Sequence, residues 1–265
     1  MSNNSRDLFG GLVPTHPSFN AVNHGILNDY KSVTKFGYNL DFSTTEETVW
    51  SAGGEFDPSA ITGAETLTVV STSTNDVNTS GTGAWLVAIF GLDANYNEIS
   101  ELTLALNGTS SVTSSNSYIA VNRCAVAFSG SLDRNDGIIS FTQSSSGIKL
   151  AEIPAGESIT QQCIYTVPAG YSAYLQGVYV SGAKAGGGGQ PVMEIDVYSY
   201  NPSSETKYLV HRGFLDVQIS NDLTIPQITA NATAEKNTIF LDAISDTATS
   251  KLFVKFFMVL MRNAS

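Results

Sequence analysis

Three oxygen-bearing side chains alternate in the stretch GLDANYNEISELTLALNGTS: Asp93, Asn95 and Asn97. A calcium loop of the helix-loop-helix kind begins this way, with ligands at positions one, three and five. It also needs Gly at position six for the sharp turn and a bidentate Glu at position twelve. Counting from Asp93, those positions hold Glu98 and Leu104. Glu resists the turn and Leu cannot ligate, so the spacing favours a tight connection between two strands. Asp and Asn suit such a corner because their side chains bond nearby backbone groups.

Glu194 and Asp196, in VMEIDVY, are two residues apart and would share one face of a strand. Paired carboxylates can hydrolyse a glycosidic bond, one as acid and one as base or nucleophile. A solvated acidic sheet face accounts for the pair equally simply. The histidines are His16, His24 and His211. Ser-His-Asp hydrolysis would need one of them beside an activated serine, and the chain has no G-x-S-x-G elbow. Tyr198 and Tyr200, in DVYSY, are an aromatic pair of the kind that can hold sugars, although alternating aromatics also build cores. Cys124 and Cys163 sit in apolar runs, VNRCAVAF and TQQCIYTV, and are expected to be reduced core thiols. A zinc site needs more Cys and His than either neighbourhood offers. The expectation is therefore no catalytic residue, no metal and no cofactor.

The elements that would position these residues are strands. From about Thr48 onward, some dozen short β-branched and aromatic segments are separated by Gly, Pro, Asn and Ser. ETLTVVS alternates apolar and polar residues, GAWLVAIFGLD is a continuous apolar run, and KLFVKFFMVLM is the most apolar segment of all. This spacing predicts an antiparallel sandwich or barrel. Asn107-Gly108 marks a tight turn, and Pro-Ala-Gly at 154–156 and 168–170 marks two more between strand candidates.

The first forty residues differ. They hold scattered Pro and Gly and show no sustained period, so residues 1–45 are expected to be an N-terminal arm and 46–265 a sandwich body. The body could divide near Ala155, but one large sandwich is preferred because no linker-like stretch lies there. Phe9, Leu12, Val13 and Phe19 are apolar without regular spacing. They are the expected partner-binding residues, since such a segment cannot bury itself and must order against another surface.

The 265 residues carry a net charge of −11, with 14% charged residues. A chain this acidic, with no basic patch, is not expected to bind nucleic acid. No run approaches the roughly 18 apolar residues of a membrane-spanning helix. The opening residues lack a basic head followed by an apolar run, so no secretion signal is expected.

KFGYNLDFSTTEETVWSAGG, GLDANYNEISELTLALNGTSSV, SYIAVNRCAV and YTVPAGYSAYL, in that order, resemble a class of small virion structural proteins of tailed bacteriophages. The resemblance runs from about Lys35 to Ser181. It implies a β-sandwich of jelly-roll type that assembles as a homotrimer on the outside of a phage particle made in the bacterial cytoplasm. Such a protein cements or decorates the capsid by binding the major capsid protein or other virion proteins. An alternative is a fibre or adhesin module of the tail that recognises host glycans. An enzyme on a β scaffold is a third reading. The resemblance supplies no catalytic residue.

Overall fold

The computed structural model describes residues 29–184, 191–226, 232–248 and 250–263. The chain is all β, and one 3-10 turn, Pro58–Ala60, is the only helical element among the described residues. Two strands come first, β1 (Tyr30–Phe42) and β2 (Glu47–Thr48). Seven follow: β3 (Glu65–Ser71), β4 (Ala84–Leu92), β5 (Glu98–Ala105), β6 (Val112–Tyr118), β7 (Ala120–Ser129), β8 (Ile139–Gln143) and β9 (Lys149–Ile153). The last seven are β10 (Ile164–Thr166), β11 (Tyr171–Lys184), β12 (Val192–Asn201), β13 (Thr206–Asp216), β14 (Asp222–Pro226), β15 (Thr238–Ser245) and β16 (Ser250–Arg262).

The first and last groups make one sandwich. One sheet has the order β1-β16-β11-β14, and the facing sheet has the order β10-β15-β12-β13. From β10 to β16 the chain crosses between the sheets in the pattern of two Greek keys, which is a jelly roll. The expected jelly-roll sandwich is thus the fold of this part of the chain. Its core comes from the alternate residues of each strand that point between the sheets. Val178 and Val180, Leu252, Val254 and Phe256 meet Met193, Ile195, Val197 and Leu241 there.

The middle strands form a second sandwich, β6-β3-β8-β9 against β5-β4-β7, with its own core. Leu67, Val69, Ile89, Tyr118, Phe141 and Ile153 fill it. The chain is therefore not the one large sandwich preferred from sequence, nor does it divide once near residue 155. It leaves the jelly roll after Val49 and re-enters at Cys163.

The two points of departure are neighbours on one strand position. β2 pairs with β15 at Thr48↔Asp242, and β10 pairs with β15 at Ile164↔Phe240. Between them the Val49 N–H donates to the Leu241 carbonyl, and the Leu241 N–H donates to the Cys163 carbonyl. The second sandwich is inserted into the middle of a jelly-roll strand. Sequence patterning missed this because each half of that strand is only a few residues long.

Residues 30–42, grouped with the arm on sequence grounds, form the edge strand β1. Its period of two is inverted. The polar residues Lys35 and Asn39 are buried, whereas Phe36 and Leu40 are exposed. Sequence alone found no amphipathic period here because the inward positions carry Lys35, Gly37 and Asn39.

Candidate docking face

The inverted pattern of β1 builds an aromatic surface on the outer side of the β1-β16-β11-β14 sheet. Registration across the strands gives its rows. Phe36, Lys255, Tyr179 and Thr224 lie in one row, and Tyr38, Phe253, Ser181 and Asp222 in the next. Tyr38 packs on Phe253 with ring centroids 5.6 Å apart, and Tyr179 meets Phe257 edge to face at 5.8 Å. The Lys255 ammonium lies 4.7 Å from the centre of the Phe257 ring. These contacts leave the rings part-exposed. Tyr179 remains 52% exposed, Phe253 46%, Leu40 45% and Phe36 38%. A shallow open groove of ≈ 570 Å³ runs between Phe36, Phe253, Tyr179, Lys255, Asp222 and Thr224. Exposed rings and an aliphatic side chain set among Lys255, Thr224 and Asp222 make this groove the candidate docking surface.

The carboxylate pair is occupied. Asp196 accepts from Arg212 Nε at 2.8 Å, from Arg212 Nη2 at 2.6 Å and from the Tyr198 hydroxyl at 2.9 Å. Glu194 Oε1 lies 2.9 Å from the same guanidinium. One arginine thus pairs with both acids, and the side-chain bond to Asp196 pushes its own pKa up. Asp242, fully buried nearby, accepts from Thr48 Oγ1 at 2.7 Å and Lys207 Nζ at 2.9 Å. Burial raises its pKa.

Tyr198 and Tyr200 do not form an exposed platform. Tyr200 is buried with Trp50, Phe56 and Phe240 under residues 50–61, and Tyr198 packs against that cluster. Burial, followed by the bond to Asp196, pushes the Tyr198 pKa up. His211, half-buried on β13, has its pKa lowered by burial, with Asp196 acting in the opposite direction. Cys124 and Cys163 are free buried thiols, and burial pushes both pKa values up.

Asp93 caps a turn. Its Oδ1 accepts the backbone N–H groups of Asn95 at 2.8 Å and Asn97 at 2.9 Å, and its Oδ2 accepts Asn97 Nδ2 at 3.2 Å. These bonds lower its pKa against the opposing effect of burial. Tyr96 takes a positive φ of 64° at the tip and docks on the jelly roll, where its carbonyl accepts the Ala169 N–H at 2.9 Å. The hairpin reading of this stretch stands, and the hairpin also joins the two sandwiches.

That junction has further bonds. Lys35 Nζ donates to the Asn122 carbonyl on β7. The Asn122 amide pairs with the β10 backbone, donating to Thr166 O at 2.9 Å and accepting from Thr166 N at 2.8 Å. Burial holds the Lys35 ammonium down to about 8.

Phe9, Leu12, Val13 and Phe19, the expected partner-binding residues, lie outside the described residues, as do His16, His24 and Gly186 to Gly189. The exposed residues that the structure brings together, Phe36, Leu40, Tyr179 and Phe253, were not singled out from sequence. The available signal was Phe36, Tyr38 and Leu40 at period two, set against polar residues at the intervening inward positions.

No protein-family model matches the chain, and no curated protein matches it. Among solved structures, the chain is similar to T=1 particles derived from infectious bursal virus at 12% identity, covering 89% of this chain and 74% of that one with a TM-score of 0.17. It is also similar to the VP2 subviral particle of infectious bursal disease virus at 11% identity, covering 89% and 77% with a TM-score of 0.18. Likenesses of this size carry no argument about fold or function.

Proposed function

We propose that the chain is a non-enzymatic structural component of a tailed-phage particle, a capsid cement or decoration protein. It binds the major capsid shell and stabilises it through its surface and through contacts between sister subunits. The observation that carries this reading is the outer face of the β1-β16-β11-β14 sheet, where aromatic residues from paired strands stand exposed in adjoining rows. The acids that could work in pairs are instead saturated by Arg212 and Lys207. The resemblance of residues 35–181 to phage virion proteins points the same way. Several copies acting together would turn modest single contacts into firm attachment, because each bound subunit raises the local concentration of the next.

Peptide mass spectrometry of purified particles, combined with antibody labelling of intact ones, tests this. The expected result is a fixed number of copies per particle with epitopes accessible on the capsid exterior. A chain missing from purified particles, or one found only at the tail, would overturn the proposal.

A further inference from the structure

We infer that the seam between the two sandwiches holds a binding site for a carboxylate, gripped by Lys35, Arg123 and the hydroxyl of Tyr165. The site goes beyond the cement reading and does not rest on it.

Where Lys35 of β1 reaches Asn122 of β7, a hollow of ≈ 360 Å³ opens between the sandwiches. Arg123 on β7 and Tyr165 on β10 also line it. A second hollow of ≈ 320 Å³ adjoins it across Asn122 and Tyr165, with Phe90, Gly91 and Ile99 in its wall. Concave spaces of about 300–1,000 Å³ that combine apolar walls with a few polar groups suit small ligands.

A buried charge normally has a counter-charge, because taking an unpaired ion out of water is costly. Lys35 is only 7% exposed, and it donates to a neutral carbonyl, that of Asn122. The Asn122 side chain is fixed in turn by two bonds to the Thr166 backbone. An ammonium has three donors, so two remain for another acceptor. Arg123, which shares the hollow, is a second cation and works against the charge on Lys35. It is exposed and has no hydrogen bond or ion pair among the described residues. The Tyr165 hydroxyl has no hydrogen-bond partner among them either, although the residue is only 6% exposed. Glu98, the acid of the adjoining hollow, is already held by Lys31. In a chain of net charge −11, two cations and an O–H donor thus face one space that no described acid lines.

A carboxylate fits this donor set. It offers two oxygens and about four lone-pair sites. The Arg123 fork can meet both oxygens, and Lys35 and Tyr165 can take the remaining lone pairs. A phosphoryl group would bring a further oxygen and further charge, and no helix N-terminus lines the hollow to receive them. The apolar wall beside Phe90 and Ile99 would take the carbon skeleton that bears the acid. That acid can be a side chain of a docking protein or a free small molecule.

Ligand-observed NMR titration of the full-length chain, at pH 7 and physiological chloride, tests the inference. N-acetylglutamate α-amide stands for a protein side chain and glucuronate for a free acid. Their uncharged counterparts, N-acetylglutamine amide and glucose, are the controls. The expected result is saturable binding of at least one acid, at least about tenfold tighter than its neutral counterpart, because hydrogen bonds to charged groups carry that much. Tighter binding of the glutamate probe assigns the site to a protein side chain, and tighter binding of glucuronate assigns it to a free acid. Lys35→Met and Arg123→Gln should each lose at least about tenfold in affinity. Circular dichroism verifies both folds, and Arg123, being exposed, still provides the test should Lys35→Met unfold. No saturation with either acid, equal binding of acid and neutral probe, tighter binding of inorganic phosphate, or an Arg123→Gln variant that binds as wild type does would each overturn the inference. The particle count that tests the cement reading is unaffected by any of these results.

Discussion

The ammonium of Lys35, on the edge strand of the jelly roll, donates to the main-chain carbonyl of Asn122 in the inserted sandwich. A charge is thereby buried at the seam where two sheet pairs meet. Burial lowers the Lys35 pKa from 10.5 to about 8, whereas in the unfolded chain it returns to the ordinary value. Below pH 8 both states hold the proton, and above pH 10.5 neither does. Between those limits the unfolded chain binds more protons, so stability rises with pH, by at most about 1.4 kcal/mol per unit from this group. Urea denaturation of wild type and Lys35→Met from pH 7 to 10.5 checks this. The variant should lack the rise above pH 8, and parallel curves would contradict it.

Gly37 sits beside the split strand. A Cβ there would come 2.8 Å from Cys163 N and Val49 O, both main-chain atoms. The backbone cannot yield as a side chain would. Gly37→Ala should cost about 1–3 kcal/mol. Gly63→Ala, which meets nothing within 4 Å, should be near neutral. Thermal melts of the two variants, compared directly, measure the difference.

Asp93 accepts two backbone N–H groups and an amide N–H within its own turn. Asp93→Ala should lose about 1 kcal/mol from the missing bonds. Millimolar calcium should leave the melting temperature of the wild type where a chelator leaves it. A calcium-dependent rise lost in the variant would restore the metal reading.

Truncation should show two regimes. Removing residues 1–28 leaves β1 complete, and the melting temperature should stay within a few degrees of wild type. Removal through residue 40 takes away a strand paired with β16 along nearly its whole length and exposes the flank of the jelly-roll core. That product should lose its cooperative transition by circular dichroism.

Much of the fold was legible because most strands follow the ordinary rule. ETLTVVS was visible as a strand and is β3 from Glu65 to Ser71. Gly156 and Gly170 take φ of 80° and 78° in the two Pro-Ala-Gly turns. In each turn, however, the proline lies one place before the first corner, since the Glu157 and Tyr171 N–H groups close back on Pro154 and Pro168. Strands that break the rule were hidden. β6, VTSSNSY, is a polar edge strand that buries Ser114 and Tyr118 but shows no apolar alternation. β1 turns Phe36 and Leu40 outward and buries Lys35, so its residues resembled an irregular arm. The inserted sandwich was invisible as an insertion because it rests on a pairing, Thr48 and Ile164 on one edge of β15, and not on a local pattern. The docking face belongs to the same class. It is made of residues far apart in sequence, brought into rows by register.

The central claim is that this face attaches the protein to its particle. Purified wild-type chain and a Phe36→Ser/Phe253→Ser variant would be added to particles stripped of it, and the bound copies counted after sedimentation. Each ring is more than half covered, so each substitution should cost about 1–3 kcal/mol, and circular dichroism verifies that the variant is folded. The account predicts saturable binding of the wild type and at least a tenfold loss of affinity for the folded variant. Equal binding of the two, or no binding of the wild type, would contradict it.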